Sequence, residues 1–347
     1  MTGVGSTEPA KSGGVGSADA GAGRAHARVL TIVAVAAGLA VAGTVGVTLL
    51  QTRGESTTAP GAVTKPHKGR PPLFLDFGVR SDREAVDLSR AAGLANRGKA
   101  KQAAAIFARY HSLQAQIGLA FTRWPDGGLD ELKHLVAINP ESAAAQFHLG
   151  MAYFWSGRTA DAARTWQRVA ARYPDSPESV EAENVLYPEP KFKSGLPPIV
   201  TPVGEPSAPT LADQLRIVER ASRRPDATAK LRYGLALWQL WRRVSAERQF
   251  EAAAKLSPKD PVFQTAAAVG AFSKRAPARA FGRLGPLTAE FPRAAVVRFH
   301  LALLLVWTAQ PAKALKQFQI AIADQPGSVY AKEARQVVAA LRQHGTK

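Results

Sequence analysis

The chain has 347 residues, 46% of them hydrophobic, and a formal net charge of +18, which is room for one large or two ordinary domains with a substantial core. It contains no cysteine, which excludes a disulfide framework, thiolate zinc or iron–sulfur ligation and cysteine nucleophiles. Alanine and leucine dominate the apolar fraction and favour helix, because neither side chain loses much freedom on a helical turn.

Residues 1–28 open with a Gly-, Ala- and Ser-rich tail that cannot bury enough apolar surface to fold alone. From Val29 to Leu50 run 22 residues without a charge, long enough at about 1.5 Å per residue to cross a hydrocarbon core of about 30 Å. This predicts a single transmembrane helix over 29–50. A cleaved signal peptide is the rival reading, with Ala40-Val41-Ala42 as small residues at the right spacing, but the apolar run continues past Ala42. Lys11, Arg24 and Arg28 precede the segment and Arg53, Lys65, Lys68 and Arg70 follow it, so charge counting does not orient it. A short tail before a single anchor places the remainder outside the cytoplasm. Residues 51–78 read as a stalk, within which Leu73-Phe74-Leu75-Asp76-Phe77 is expected to pack onto the first hairpin.

Residues 79–186 and 211–343 repeat each other in part. A shift of 152 residues lays Pro140–Leu186 on Pro292–Val338 without a gap, with 15 of 47 pairs identical. Phe147-His148-Leu149 and Trp155 meet Phe299-His300-Leu301 and Trp307, Trp166 meets Phe318, and Pro174 meets Pro326. Paired helices are predicted at 84–110, 111–140, 143–176, 227–258, 261–292 and 295–328. The second pair is irregular, because Trp124-Pro125-Asp126-Gly127-Gly128 replaces a short turn. Closing helices are expected at Glu178–Leu186 and Tyr330–Arg342, covering the last apolar faces as repeat arrays require. Between the halves lies a proline-rich linker over 187–210, followed by an extra helix over Leu211–Arg224.

Leu149, Gly150, Tyr153, Gly157, Ala162, Trp166 and Pro174, and in a second unit Gly234, Ala246, Phe250, Ala253 and Pro258, resemble the tetratricopeptide repeat pattern. The resemblance covers about two-thirds of the chain. It implies an all-α solenoid of helical hairpins, here in two duplicated modules behind an N-terminal transmembrane helix. The architecture is similar to single-span tetratricopeptide proteins of bacterial envelopes, and implies a protein or peptide partner bound to a concave wall built by the first helix of each hairpin. The family's wall positions fall on Ala144, Phe147, Met151, Phe154 and Trp155, on Leu231, Leu235 and Trp238, and on Val296, Phe299, Leu303, Val306 and Trp307. Two readings of these apolar residues stand: an open groove for an apolar or amphipathic peptide, or a wall covered by the closing helices and the linker. The family's carboxylate clamp needs Lys and Asn where this chain has Leu88 and Ala92.

Charge is uneven. Residues 211–347 hold net +14 (23 basic against 9 acidic side chains), whereas residues 53–210 hold +3 (19 against 16). Arg220, Arg223 and Arg224 cluster near the extra helix, and Arg242, Arg243, Lys274 and Arg275 are expected at hairpin turns along one edge; together they form a candidate site for anionic lipid or an anionic cell-wall polymer, and no nucleic-acid signature accompanies them. The bland alternative is a solvated arginine-rich surface. His148 and His300 stand without a carboxylate or second histidine at i+4 and read as packing residues, so no metal or cofactor is expected. Asp76-Phe77-Gly78 lacks the rest of a kinase site, Gly93 and Gly98 lie in a helix and its turn, and Asp130-Glu131 complement a helix N-terminus. The sequence therefore points to binding and not to an enzyme.

Overall fold

The computed structural model describes residues 67–188 and 195–344, and within them the chain forms fifteen helices and no strand. The expected transmembrane helix over 29–50 and the tail before it lie outside the described residues. Among the described residues no helix is long and apolar enough to cross a membrane.

The first seven helices are α1 (Arg83–Asn96), α2 (Ala100–Phe107), α3 (Leu113–Thr122), α4 (Gly128–Ile138), α5 (Ala143–Trp155), α6 (Thr159–Arg172) and α7 (Pro177–Leu186). After the linker come α8 (Leu211–Ser222), α9 (Ala227–Gln239), α10 (Arg243–Leu256), α11 (Pro261–Gly270), α12 (Ala278–Glu290), α13 (Ala295–Trp307), α14 (Pro311–Asp324) and α15 (Val329–His344). Successive helices pack on each other within each group, and α1, α3, α5 and α7, like α9, α11, α13 and α15, also pack on the next but one. These odd-numbered helices therefore form the inner wall of each half, while the alternate helices lie outside.

Local sequence explains the alternation. Six inner helices open on a side-chain cap: Asp82 accepts from Ala85 N, Ser112 from Ala115 N, Ser142 from Ala145 N, Ser176 from Ser179 N, Asp226 from Ala229 N and Asp260 from Val262 N. The outer helices α2, α6 and α10 have no such cap, because each follows a tight turn through one left-handed residue. That residue is Gly98 or Gly157 in the first half; Trp241 and Ala309 stand there in the second, at φ 56° and 57°.

Small inner-helix residues set the spacing between the two helices of a hairpin. A Cβ on Gly150 would come within 3.0 Å of Nε1, Cδ1 and Cε2 of Trp166, and one on Gly234 would equally strike Phe250. Trp166, Phe250 and Phe318 are wholly buried, each projecting from an outer helix into the core. The irregular second pair forms, with α4 starting at Gly128 directly after a left-handed Gly127.

Two extended segments depart from the expected stalk and linker. Residues 67–80 do not stop at the first hairpin: Leu73 is buried in the first core, joined by Phe74, Leu75 and Phe77. Residues 195–206 do not merely separate the halves, since Leu196, Ile199, Val200 and Val203 pack against the cores of the second. Proline accounts for both, because a pre-set φ lowers the entropy lost when an extended chain is pinned.

Candidate functional site

The inner wall of each half is occupied by the chain's own extended segment. In the first half, the His67 ring stacks on Phe154 at 4.3 Å and the His67 main-chain N–H donates to the Trp155 carbonyl at 3.0 Å. Arg70 donates to the Thr122 carbonyl at 2.7 Å. The Asn96 side chain closes a two-way bond with the Leu73 main chain, accepting from its N–H at 2.8 Å and donating to its carbonyl at 2.9 Å. Phe74 meets Phe147 edge-on at 6.0 Å and stacks on Trp241 of the second half at 5.8 Å.

In the second half, Trp238 Nε1 donates to the Pro197 carbonyl at 2.8 Å, and the Val200 N–H donates to His300 Nε2 at 2.9 Å. Arg232 donates to the Gly204 carbonyl at 3.0 Å. His300 Nδ1 lies 2.8 Å from the Val296 carbonyl, which assigns the proton to Nδ1 and leaves Nε2 as acceptor. His148 keeps the first contact, with Nδ1 2.7 Å from the Ala144 carbonyl and the Phe74 main chain beside the ring, but its buried Nε2 accepts no hydrogen bond among the described residues. Burial pushes both imidazoles down to about 4, so both are neutral at pH 7.

The wall residues expected from the family's pattern are thus brought together but covered. Phe147, Met151, Phe154, Trp155, Trp238, Phe299, Leu303 and Trp307 are all buried, and Leu235 is half-buried. His67 and Phe74 lie on the first set, Pro197 and Val200 on the second, and Tyr330 of the closing helix α15 packs 5.9 Å from Phe299. An apolar cleft remains between α8, α9 and the segments, enclosing about 150 Å³ and bordered by Val79, Val203, Leu215, Val218, Leu235 and Leu240.

The four basic residues expected at hairpin turns do not form one exposed edge. Arg220, Arg223, Arg224, Arg242 and Arg275 are exposed, but Arg243 and Lys274 are buried where the halves meet. Glu183 of α7 lies 3.6 Å from Arg243 and accepts from the Lys274 N–H at 3.0 Å. Burial lowers the Lys274 ammonium to about 8, opposed by the charges of Glu181 and Glu183. Arg242 pairs with Asp175 at 3.4 Å. Asp175 also accepts from the Ser245 N–H at 2.9 Å and its hydroxyl at 2.6 Å, supplying from the first half the N-terminal cap that α10 lacks. Sequence spacing placed these cations near helix turns but carried no signal that α7 would seat its carboxylates on them.

Sequence reasoning expected Leu73–Phe77 to pack onto the first hairpin and left a linker-covered wall as one of two readings, but it missed that the two covering segments resemble each other. Gly69-Arg70-Pro71-Pro72-Leu73-Phe74 and Gly195-Leu196-Pro197-Pro198-Ile199-Val200 match at a shift of 126 residues, a comparison that requires looking outside the helices. Trp241 was equally hidden. Its left-handed backbone costs about 1–3 kcal/mol for a bulky residue, and it is retained where its ring stacks on Phe74 and lies against Gly195.

A tetratricopeptide repeat family model matches residues 144–176, which span α5 and α6. No curated protein matches the chain. Among solved structures, yeast Tom70 is similar at 13% identity and a TM-score of 0.31, over 75% of this chain and 48% of that one, so the chain spans about half its length. A tetratricopeptide-repeat protein of Thermus thermophilus is similar at 17% identity and a TM-score of 0.20, over 74% of this chain and 98% of that one. The C-terminal part of a repeat protein from Cytophaga hutchinsonii is similar at 13% identity and a TM-score of 0.27, over 71% and 98%.

Proposed function

We propose that this protein is a membrane-anchored interaction scaffold, tethered through residues 29–50 with its two repeat modules outside the cytoplasm, and that it binds a partner protein through extended peptide segments rather than catalysing a reaction. One observation carries the reading. Both inner walls hold an extended segment by side chains that bond its main chain, Asn96 on Leu73 and Trp238 and His300 on Pro197 and Val200. Affinity in such contacts comes from the main chain and specificity from pockets for alternate side chains. The anionic-lipid or polymer tether is the weaker reading, because Arg243 is paired with Glu183 and Lys274 is buried beside it, which leaves Arg220, Arg223, Arg224, Arg242 and Arg275 exposed.

A photo-crosslinking amino acid placed at Val79 or Leu215, on the rim of the remaining cleft, tests the scaffold reading in intact membranes. A discrete crosslinked protein at either position supports it. Crosslinks to lipid alone from both positions would contradict it.

A further inference from the structure

The two segments that fill the inner walls resemble each other in sequence, in the left-handed opening glycine and in burial from the proline pair onward. Residues 69–78 read Gly-Arg-Pro-Pro-Leu-Phe-Leu-Asp-Phe-Gly, and residues 195–204 read Gly-Leu-Pro-Pro-Ile-Val-Thr-Pro-Val-Gly. Both glycines that open the motif are left-handed, at φ 88° and 79°, a conformation available to glycine at no steric cost. The first proline of each pair is buried and the second half-buried. The next three residues are buried or half-buried, the eighth position (Asp76, Pro202) is exposed, the ninth (Phe77, Val203) half-buried, and the closing glycine exposed.

The histidine behind each motif is duplicated as well, although the other side chains that bond the segments, Asn96 in one half and Trp238 in the other, differ. Val200 stands in its motif where Phe74 stands in the first, and each lies against the histidine of its own half. Val200 N–H donates to His300 Nε2, and the Phe74 main chain lies beside His148. The two histidines are 152 residues apart and the two motifs 126. The second half has the extra helix α8 between motif and hairpins, so a constant register along the chain does not explain the pairing. A proline pair suits such a site. It is already extended, so little entropy is lost on docking, and it offers carbonyls but no N–H, matching the Trp238 indole that donates to Pro197.

From this we infer that each half is a reader of one peptide class, an extended Gly-x-Pro-Pro-aliphatic-apolar segment, and that a partner carrying this motif docks by replacing the resident copy. Trp241 ties the two sites together, since its ring stacks on Phe74 of one motif and touches Gly195 of the other. Displacement of the first copy therefore frees one face of the ring that backs the second. The inference rests on the scaffold reading and specifies its ligand.

The test uses the full chain in detergent and two labelled synthetic peptides, residues 67–80 and 195–206, followed by fluorescence anisotropy. In a Leu73→Asp, Phe74→Asp chain the first resident copy no longer seats. The 67–80 peptide is expected to bind this variant saturably, with the 195–206 peptide as competitor and a scrambled peptide inert. It binds the unaltered chain at least about tenfold more weakly, because a tethered copy competes at roughly millimolar effective concentration. A variant of native helicity that binds neither peptide, or binds the scrambled one equally, overturns the inference.

If the double variant unfolds, a graft decides. Residues 69–78 replaced by the 195–204 sequence should melt within about 3 °C of the native chain, a shift on the order of one kcal/mol or less, whereas the same ten residues in scrambled order should melt lower. A graft that melts as low as the scramble overturns the inference. Peptide binding without any crosslinked partner would sink the scaffold reading and leave the reader intact; a crosslinked partner with peptides that fail to bind would sink the reader alone.

Discussion

Substituting Gly150 by alanine separates close helix packing from helix propensity, because the two effects have opposite signs. Alanine is favoured over glycine in a helix interior by about 1 kcal/mol. At Gly150 the new methyl would press on Trp166, a wholly buried ring whose Nε1 donates to the Phe147 carbonyl at 3.1 Å. Overpacking costs about 1–3 kcal/mol, and disturbing that bond about 1 more. The net is a destabilisation of roughly 1–3 kcal/mol, or several degrees in Tm at about 2–4 °C per kcal/mol for a domain of this size. Gly93, in the interior of α1, is the control: its added methyl meets only the flexible end of Arg97, at 3.3 Å. Gly93→Ala should stabilise by about 0.5–1 kcal/mol. Thermal melts followed by circular dichroism read both. If Gly150→Ala melts at or above the native chain, the inner and outer helices are not held apart by the Trp166 ring and the packing argument fails.

Two further predictions concern charge. His148 and His300 are neutral when folded, with pKa near 4, and titrate near 6.5 when unfolded. The unfolded chain therefore takes up more protons between these values. Their contribution to stability is fully present above pH 6.5 and lost as pH falls toward 4, at about 1.4 kcal/mol per pH unit for each histidine. Urea titrations at pH 7.0, 6.0 and 5.5 should show the decline, and a H148Q/H300Q chain should be flatter over the same interval; equal slopes would contradict the buried neutral assignment. At the junction of the halves, Glu183→Gln leaves Arg243 buried without its counter-ion and should cost about 3–5 kcal/mol. Asp175→Ala, which removes the cap on α10, should cost about 1 kcal/mol. Proteolysis within 187–210 should accelerate in the first variant far more than in the second, and the reverse order would contradict the assigned roles.

The helical hairpins were legible because their determinants are local and periodic. Gly150 and Trp166 recur in kind as Gly234 and Phe250, and the caps Ser142, Ser176 and Asp226 stand at helix starts in plain sequence. The duplicated Phe-His-Leu and tryptophan marked the inner helices α5 and α13. What covers their inner faces was legible only in part. The apolar run Leu73-Phe74-Leu75 signalled packing, but Ile199 and Val200 lie in a proline-rich stretch without a helical or strand period, so nothing local fixed which wall either segment would meet. The partners of Leu73 and Val200, Asn96 at 23 residues and His300 at 100 residues of separation, are set by how the helices assemble. Arg243 and Lys274 were misplaced for a related reason. A cation at a helix turn looks the same in sequence whether it faces water or the carboxylate of Glu183, sixty residues or more away in the chain.

Amide hydrogen exchange resolved to single residues most directly tests whether the inner walls hold the chain's own motifs. Val200 and Leu73 lie in segments with no regular secondary structure, yet their N–H groups are bonded to His300 and Asn96. Both amides are expected to exchange as slowly as those of α5 and α13. Exchange at the rate of an unstructured peptide at Val200 and Leu73, with the helices protected, would show that the walls are open and would contradict their occupation.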